Sequence, residues 1–478
     1  MSFVFLWTDI MVWLLVLVLI GAVRSIRQSK QSRKQWTQIF QSPVAMASAI
    51  ILSFYLVFAL LDSIHFEFTQ NSSISAQAST IEGQVKTATN IEQGGVLSVL
   101  DLIFSHLKEN TERTYSAPFA THEHSTSISY DEDGNVSQQY LPLKFGGQHL
   151  KENTKVFDDF MVKSSIPFLF SFFILAIIAF IHSWFNFKKY AIKTLDGLYE
   201  YLPIPEPHMP WKTVYFTLFI LFFAVSWFYY LSQYYHVLGT DKVGQDVLYQ
   251  SIKSIRTGVL IGLLTTLVML PLALILGISA GYFKGWVDDV IQYLYTTLNS
   301  IPGVLLIAAG VLVMQVIIGN NPDWFSSTEE RADLRLLFLI FILGLTSWTG
   351  LCRLLRAETL KISQVEYVAA AKTVGVGPFK IIKNHIMPNL MHLILIALVL
   401  DFSGLVLAEA VLSYVGVGVD PTTASWGNMI NQARLEMARE PMVWWSLFSA
   451  FTFMFTLVLA ANLFSDRVQV VLDPRRAK

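Results

Sequence analysis

The sequence contains one cysteine, Cys352, set inside an apolar run. With no second thiol, a disulfide framework and a cysteine metal cluster are both excluded. Charge is scarce as well: only 14% of the 478 residues are charged, and 34 Lys and Arg stand against 35 Asp and Glu. That balance gives no basic excess that would point to nucleic acid as a partner. No Gly-x-x-x-x-Gly-Lys-Ser/Thr phosphate loop occurs anywhere, so the chain is not expected to supply a nucleotide site or to be an enzyme in its own right. A cleavable signal is not expected either. No basic residue precedes the first apolar run, Phe3 to Val23, whereas Arg24, Arg27, Lys30, Arg33 and Lys34 follow it. That flank order reads as a membrane anchor.

Apolar surface is what the chain has in quantity. Hydrophobic residues make up 53%, aromatic residues 14%, and the mean hydropathy is +0.49, values that require lipid as the main solvent. Windows long enough to cross a bilayer fall near 3–23, 44–62, 166–186, 213–234, 254–282, 289–318, 335–357, 391–416 and 443–465. The expected fold is therefore an all-α polytopic membrane protein of about nine transmembrane helices. Basic residues after the first span hold its end in the cytoplasm and put the N-terminus outside. An odd number of spans then returns the C-terminus to the cytoplasm, where Arg475, Arg476 and Lys478 belong. The same alternation puts Lys188, Lys189, Lys193 and the segment 358–390 inside and the loop 319–334 outside.

Four parts are expected: N-terminal anchor helices over 1–62, an extracytoplasmic (periplasmic) insert over 63–165, a helix and linker over 166–212, and a compact membrane core over 213–478. The insert is rich in Ser, Thr, Gln and Asn. Its alternation at Ser125 to Tyr130 and Val136 to Leu143, around the turn-like Asp131 to Asn135, predicts some strand. His122 and His124, with His106 and His149, could offer imidazoles to a metal, but they are read as side chains of a solvated loop and no metal site is expected. In the linker, Pro203, Pro205, Pro207 and Pro210 disfavour helix and suit a stiff connector.

The segment from Glu366 to Pro388 reads as two short helices with a joint. Ala369, Ala370 and Ala371 favour helix and leave a small surface, Gly375 and Gly377 end that helix, and Pro378 opens the next, which is expected to stop before Pro388. Such a hairpin suits close approach by another protein, and is also compatible with an amphipathic hairpin lying on the membrane. Two carboxylates, Asp401 and Glu409, sit inside a span. Eight residues apart, they lie within roughly 80 degrees of each other around the helix. They either line a polar path suited to the ammonium end of a peptide or make structural hydrogen bonds to neighbours. Pro271 and Pro302-Gly303 are helix breakers within spans, compatible with bending or with packing alone.

The 366–388 stretch resembles the "EAA" loop of ABC-importer permeases, with Ala370, Ala371, Gly375, Met387 and Pro388 in matching places. The motif's glutamate is Ala369 here, and His385 stands in place of its isoleucine. Further matches are similar to the C-type subunit of dipeptide and oligopeptide permeases. They are Gly239-Thr240-Asp241-x-x-Gly244-x-Asp246-Val-Leu with Gln245 in place of arginine, Leu407 to Gly418 with Glu409 inside it, Ser425-Trp426-Gly427-Asn428-Met429, and Leu472-Asp-Pro-Arg475. Four ordered motifs cover roughly the last half of the chain. The resemblance implies a type I importer core made by the last six helices, in the bacterial inner membrane, moving di- or oligopeptides. It also implies a second homologous permease, an external peptide-binding protein, and two cytoplasmic ATPases that carry ATP and magnesium and dock on Glu366, Ala369, Ala370, Ala371, Gly375, Gly377 and Pro388. No cofactor is expected in this chain. Nickel, opines or antimicrobial peptides are alternative cargoes, and a non-transporting membrane sensor using the external insert is an alternative of another class.

Overall fold

The computed structural model describes residues 2–4, 6–67, 96–130, 136–150, 156–190, 209–325 and 327–472. The Asp131 to Asn135 turn, Pro203, Pro205, Pro207, Lys193 and the basic tail with Arg475, Arg476 and Lys478 lie outside them. Within them the chain is helical apart from short strands: β1 (Ser2–Val4), α1 (Trp7–Gln28), α2 (Lys30–Phe40), α3 (Pro43–Asp62), β2 (His65–Glu67), β3 (Val96–Ser98), α4 (Val99–Ile103), α5 (Ser105–Glu109), β4 (Ser127–Tyr130), β5 (Val136–Gln139) and α6 (Val156–Tyr190) come first. There follow α7 (Trp211–Leu231), α8 (Val247–Phe283), α9 (Gly285–Ser300), α10 (Gly303–Asn320), α11 (Thr328–Ile362), α12 (Glu366–Thr373), α13 (Pro378–Ile381), a π-helical turn (Ile382–Ile386), α14 (Met387–Tyr414), α15 (Trp426–Glu436) and α16 (Trp445–Leu472).

Among the described residues, nine helices are long and apolar enough to cross a membrane: α1, α3, α6, α7, α8, α10, α11, α14 and α16, in line with the sequence windows. Their starts are encoded locally. Asp246 caps α8 by accepting from the amides of Leu248 and Tyr249, Ser327 caps α11 through the Glu330 amide, and Pro43 opens α3. Two expectations need correction. The 289–318 window is not one span. Ile301 is extended, as a residue before proline prefers, and Pro302 starts a new helix, so α9 and α10 are separate and only α10 counts as a span. The second helix of the 366–388 hairpin also does not stop before Pro388. It passes through the π-helical turn into α14, whose first turn holds Pro388 where no amide donor is needed.

The centre of the bundle is α8, half of it buried, paired most extensively with α11 and also flanked by α3, α14 and α16. Close approach to α11 is made by glycine: a Cβ at Gly277 or Gly281 would meet the α11 backbone at 2.8 or 2.7 Å. The α6–α7 pair is the outermost, with Phe170, Phe172, Phe173 and Phe180 of α6 exposed as on a lipid-facing helix.

The bundle has two dissimilar ends. At one, the insert covers the start of α8. Strands β1, β2 and β3 form an antiparallel sheet in that order, and β4 pairs with β5 from Ser127–Gln139 to Tyr130–Val136. The β4–β5 hairpin agrees with the alternation seen in the sequence. The three-residue strands of the other sheet carry no periodic signal to read. At the opposite end lie α2, α9 and the 366–388 hairpin.

Candidate functional site

Residues 366–388 form a hairpin with an anchored base and an exposed crown. Helix α12 ends in paired hydrogen bonds: the Val376 amide donates to the Ala371 carbonyl at 3.1 Å and the Gly375 amide to the Lys372 carbonyl at 3.0 Å. That arrangement requires a left-handed residue at position 375, and Gly375 supplies it with φ +83°. Gly377 is extended and caps α13, which Pro378 opens. Below, Val368, Ile381, Ile386 and Leu390 are fully buried in a cluster shared with Ile291 of α9 and Leu355 of α11. Above, Glu366, Ala369, Ala370 and Gly377 are exposed, Ala371 is half-buried, and Val374 and Phe379 are each 83% exposed. Two further contacts set the tilt of the hairpin. Lys372 Nζ stands 4.6 Å over the Tyr282 ring, and Asn389 donates to the Tyr367 hydroxyl at 3.0 Å. Beside it, Arg356 grips Asp288 with Nε at 2.5 Å and Nη2 at 2.7 Å. This fork holds the Asp288 carboxyl below the usual carboxylate range. The result is an exposed knob, with Val374 and Phe379 at its tip, on a base fastened to helices that cross the membrane.

The two intramembrane carboxylates have different surroundings. Glu409 is buried and accepts from the Ser413 hydroxyl at 2.7 Å. A Cβ at Gly427 would meet its carboxylate at 2.6 Å. Asp401 is partly exposed and has no hydrogen-bond or ion-pair partner among the described residues. The Ser425 to Met429 motif adjoins Glu409 through Gly427. The indole of Trp426 donates to the Ser251 carbonyl at 3.1 Å, and the Asn428 amide donates to the carbonyls of Asp420 and Thr423.

The remaining motif residues lie under the insert. Gly239 (φ +72°) and Gly244 (φ +75°) turn left-handed where the Ser116 and Glu112 carbonyls leave no room for a side chain. Thr240 accepts from the Ser116 amide at 2.7 Å and its carbonyl takes the Trp445 indole N–H at 2.9 Å. Asp241 closes the turn by accepting from the amides of Val243 and Gln245. His236 is buried between Asp246 (Nδ1, 2.7 Å) and Glu112 (Nε2, 3.3 Å), and Glu112 also accepts from the amides of Lys144, Phe145 and Gly146. Burial opposes its charge, but the two carboxylates prevail and push the imidazole up to about 9. For Glu112, burial is likewise outweighed, by His236 and the three amides, which hold it at about 2.

A second set of buried charges joins the anchor helices to the core. Arg256 of α8 donates to Asp9 and to Thr8 at 2.8 Å each and lies 3.6 Å from Asp333 of α11. Asp9 also pairs with His65 at 2.8 Å. Lys253 donates to Asp101, which accepts from the Tyr249 hydroxyl at 2.7 Å. A cavity of about 200 Å³ lies among Asp62, His65, Asp101, Lys253, Arg256 and Asp333. Sequence reading did not single out these residues or Glu112 and His236. The available signal was an arginine, Arg256, inside an apolar window, since an intramembrane cation demands a partner. Of the histidines that were singled out, His106 bonds Ser232, His149 bonds Asp159 and His122 bonds Thr121, while His124 stands edge-on to Trp445 with its buried Nε2 unpartnered among the described residues.

Residues 273–478 match the family described as binding-protein-dependent transport system inner membrane component. The chain is 30% identical over 240 residues to the dipeptide transport system permease protein DppC of Bacillus subtilis, covering 50% of this chain and 69% of the relative. It is 31% identical over 242 residues to the oligopeptide transport system permease protein OppC of Haemophilus influenzae, covering 50% and 71%. With the glutathione transport system permease protein GsiD of Pectobacterium atrosepticum, identity is 29% over 240 residues, covering 50% and 73%. A core of membrane-crossing helices, a jointed hairpin at one end and these matches lead to one conclusion: the chain belongs to the binding-protein-dependent inner membrane components, the permeases of ABC importers.

Proposed function

We propose that this chain is the pore-forming subunit of an importer for di- or oligopeptides in the bacterial inner membrane, driven by separate ATPases. The observation that carries this reading is the 366–388 hairpin: an exposed crown bearing Val374 and Phe379 among charged residues, on a buried base, within a chain whose relatives are named dipeptide and oligopeptide permeases. The hairpin end faces the cytoplasm, where Lys361, Lys372, Lys380 and Lys383 belong, and the insert end faces outside, with the N-terminus. A second homologous permease completes the pathway, two cytoplasmic ATPases holding ATP and magnesium seat on the crowns of the pair, and an external binding protein delivers the peptide. Closure of the ATPases pushes on Val374 and Phe379. Because Val368, Ile381 and Ile386 are packed against the helices beneath, the push tilts those helices and opens the path. Asp401, unpaired among the described residues and partly exposed, is a carboxylate available to a peptide ammonium, whereas Glu409 is buried and hydrogen-bonded to Ser413.

Gly375→Val tests this. A Cβ at position 375 meets no atom within 4 Å, so the cost is confined to the left-handed backbone, about 1–2 kcal/mol. That shifts the joint about 5- to 30-fold away from its native geometry. Peptide uptake by reconstituted complex should fall, by at most about that factor, while the thermal melt barely moves. Unaltered uptake, with the ATPases still captured, would sink the coupling role.

A further inference from the structure

Between Asp9 and Asp62 the sequence has no acidic residue, yet it carries Arg24, Arg27, Lys30, Arg33 and Lys34. All five are exposed, and none makes an ion pair among the described residues. Arg24 and Arg27 belong to the last turns of α1. The chain breaks at Ser29, which is extended and caps α2, and α3 opens at Pro43 just after α2 ends. A helix of 11 residues, about 16 Å long, therefore bridges the ends of two bilayer-crossing helices and must lie across the membrane surface. Its faces differ. Ile39 is fully buried against Val468 and Leu472 at the end of α16, with Trp36 packed beside it. Lys30, Arg33 and Lys34 recur on the other side, toward solvent.

We infer that α2 and the end of α1 form a binding surface for the phosphodiester headgroups of anionic phospholipids. The depth of the charges favours lipid over an acidic protein. Arg24 is about 6 Å back along α1 from Gln28, on the flank of a membrane-crossing helix that a soluble partner cannot reach but a headgroup can. The aromatic residues Trp36 and Phe40, ring centroids 6.0 Å apart, mark the same interfacial level. Basic clusters beside a span gain affinity for acidic headgroups with each cation added, and the gain falls with salt. The inference depends on α1 and α3 crossing the bilayer, not on the identity of any cargo.

The test uses the full chain in vesicles of phosphatidylcholine with trace spin-labelled phosphatidylglycerol or spin-labelled phosphatidylcholine, comparing the motionally restricted fraction of each probe. At low salt the wild type should restrict phosphatidylglycerol about threefold or more over phosphatidylcholine. High salt and K30Q/R33Q/K34Q should bring the ratio toward one, with the thermal melt unchanged, while the charge-keeping K30R/K34R and the hairpin control K380Q/K383Q should retain it. Equal restriction of the two probes in the wild type would overturn the inference. So would a preference that survives K30Q/R33Q/K34Q, or a variant that loses ATPase capture while keeping its lipid preference, which would assign the surface to a protein.

Discussion

The two ends of the bundle are built from opposite materials. At the insert end, Arg256, His236 and Lys253 are each shared between carboxylates that come from different parts of the chain. At the hairpin end, buried aliphatic residues support a crown jointed at Gly375, and the strongest polar link, Arg356 to Asp288, lies beside the hairpin and not within it. Buried charge networks have narrow geometric tolerance, because a displaced ion loses partners and water at once. Apolar contacts backed by glycine joints give way more gradually. The difference teaches that the insert end is suited to hold the spans in register, while the hairpin end is suited to transmit a displacement.

The largest effect expected from breaking this comparison is at Arg256. Arg256→Met leaves Asp333 buried without its cation and Asp9 with His65 alone, a loss of about 3–5 kcal/mol. The thermal melt of the detergent-solubilised chain should drop steeply, and hydrogen exchange should rise along β1–β3 and the start of α8 before it rises at 366–388. A melt within a degree or two of wild type would show that the network is ornamental and that the ends do not differ in this way.

A weaker, reversible perturbation is pH. His236 is raised from 6.5 to about 9 in the fold. Its contribution is complete below 6.5 and is lost as pH climbs through about 9. Glu112, lowered from 4.5 to about 2, contributes above 4.5 and is lost only as pH falls through about 2. Amides of 112–119 and 236–246 should therefore lose protection, after correction for intrinsic exchange, between pH 6.5 and 9.5, whereas those of 366–388 should not. His236→Gln should remove the dependence. Equal loss at both ends would mean that the titration is global and not seated at this histidine.

How much of this was legible beforehand follows from the range of each interaction. The spans, the hairpin joint at Gly375 and the β4–β5 pairing depend on residues a few positions apart, so periodicity and turn chemistry reveal them. Pro302 sits inside a span window and Pro388 just before one, but whether proline ends one helix or begins the next depends on what packs beneath it, and both were misjudged. Glu112, Asp9 and Asp333 were invisible because their partners stand far away in sequence: 124 positions from Glu112 to His236, and 325 from Thr8 to Asp333. Even so, Gly239, Thr240, Gly244 and Asp246 were legible as a motif. The structure supplies their physical purpose, which is to leave room for the insert and to cap α8.

The smallest effect on stability should come from Phe379→Ser. The side chain is 83% exposed, so little burial is lost, and the melt should move by no more than about 0.5 kcal/mol. If the crown seats in an ATPase groove, however, the ring would be buried in the complex, where an aromatic anchor is worth about 2 kcal/mol or more. Capture of the ATPases by the purified permease should then weaken by about 30-fold. This dissociation between stability and assembly is the sharpest form of the comparison, because it is the reverse of what Arg256→Met predicts. Loss of stability without loss of capture would place the crown in the chain's own packing and remove the reason for calling this end the movable one.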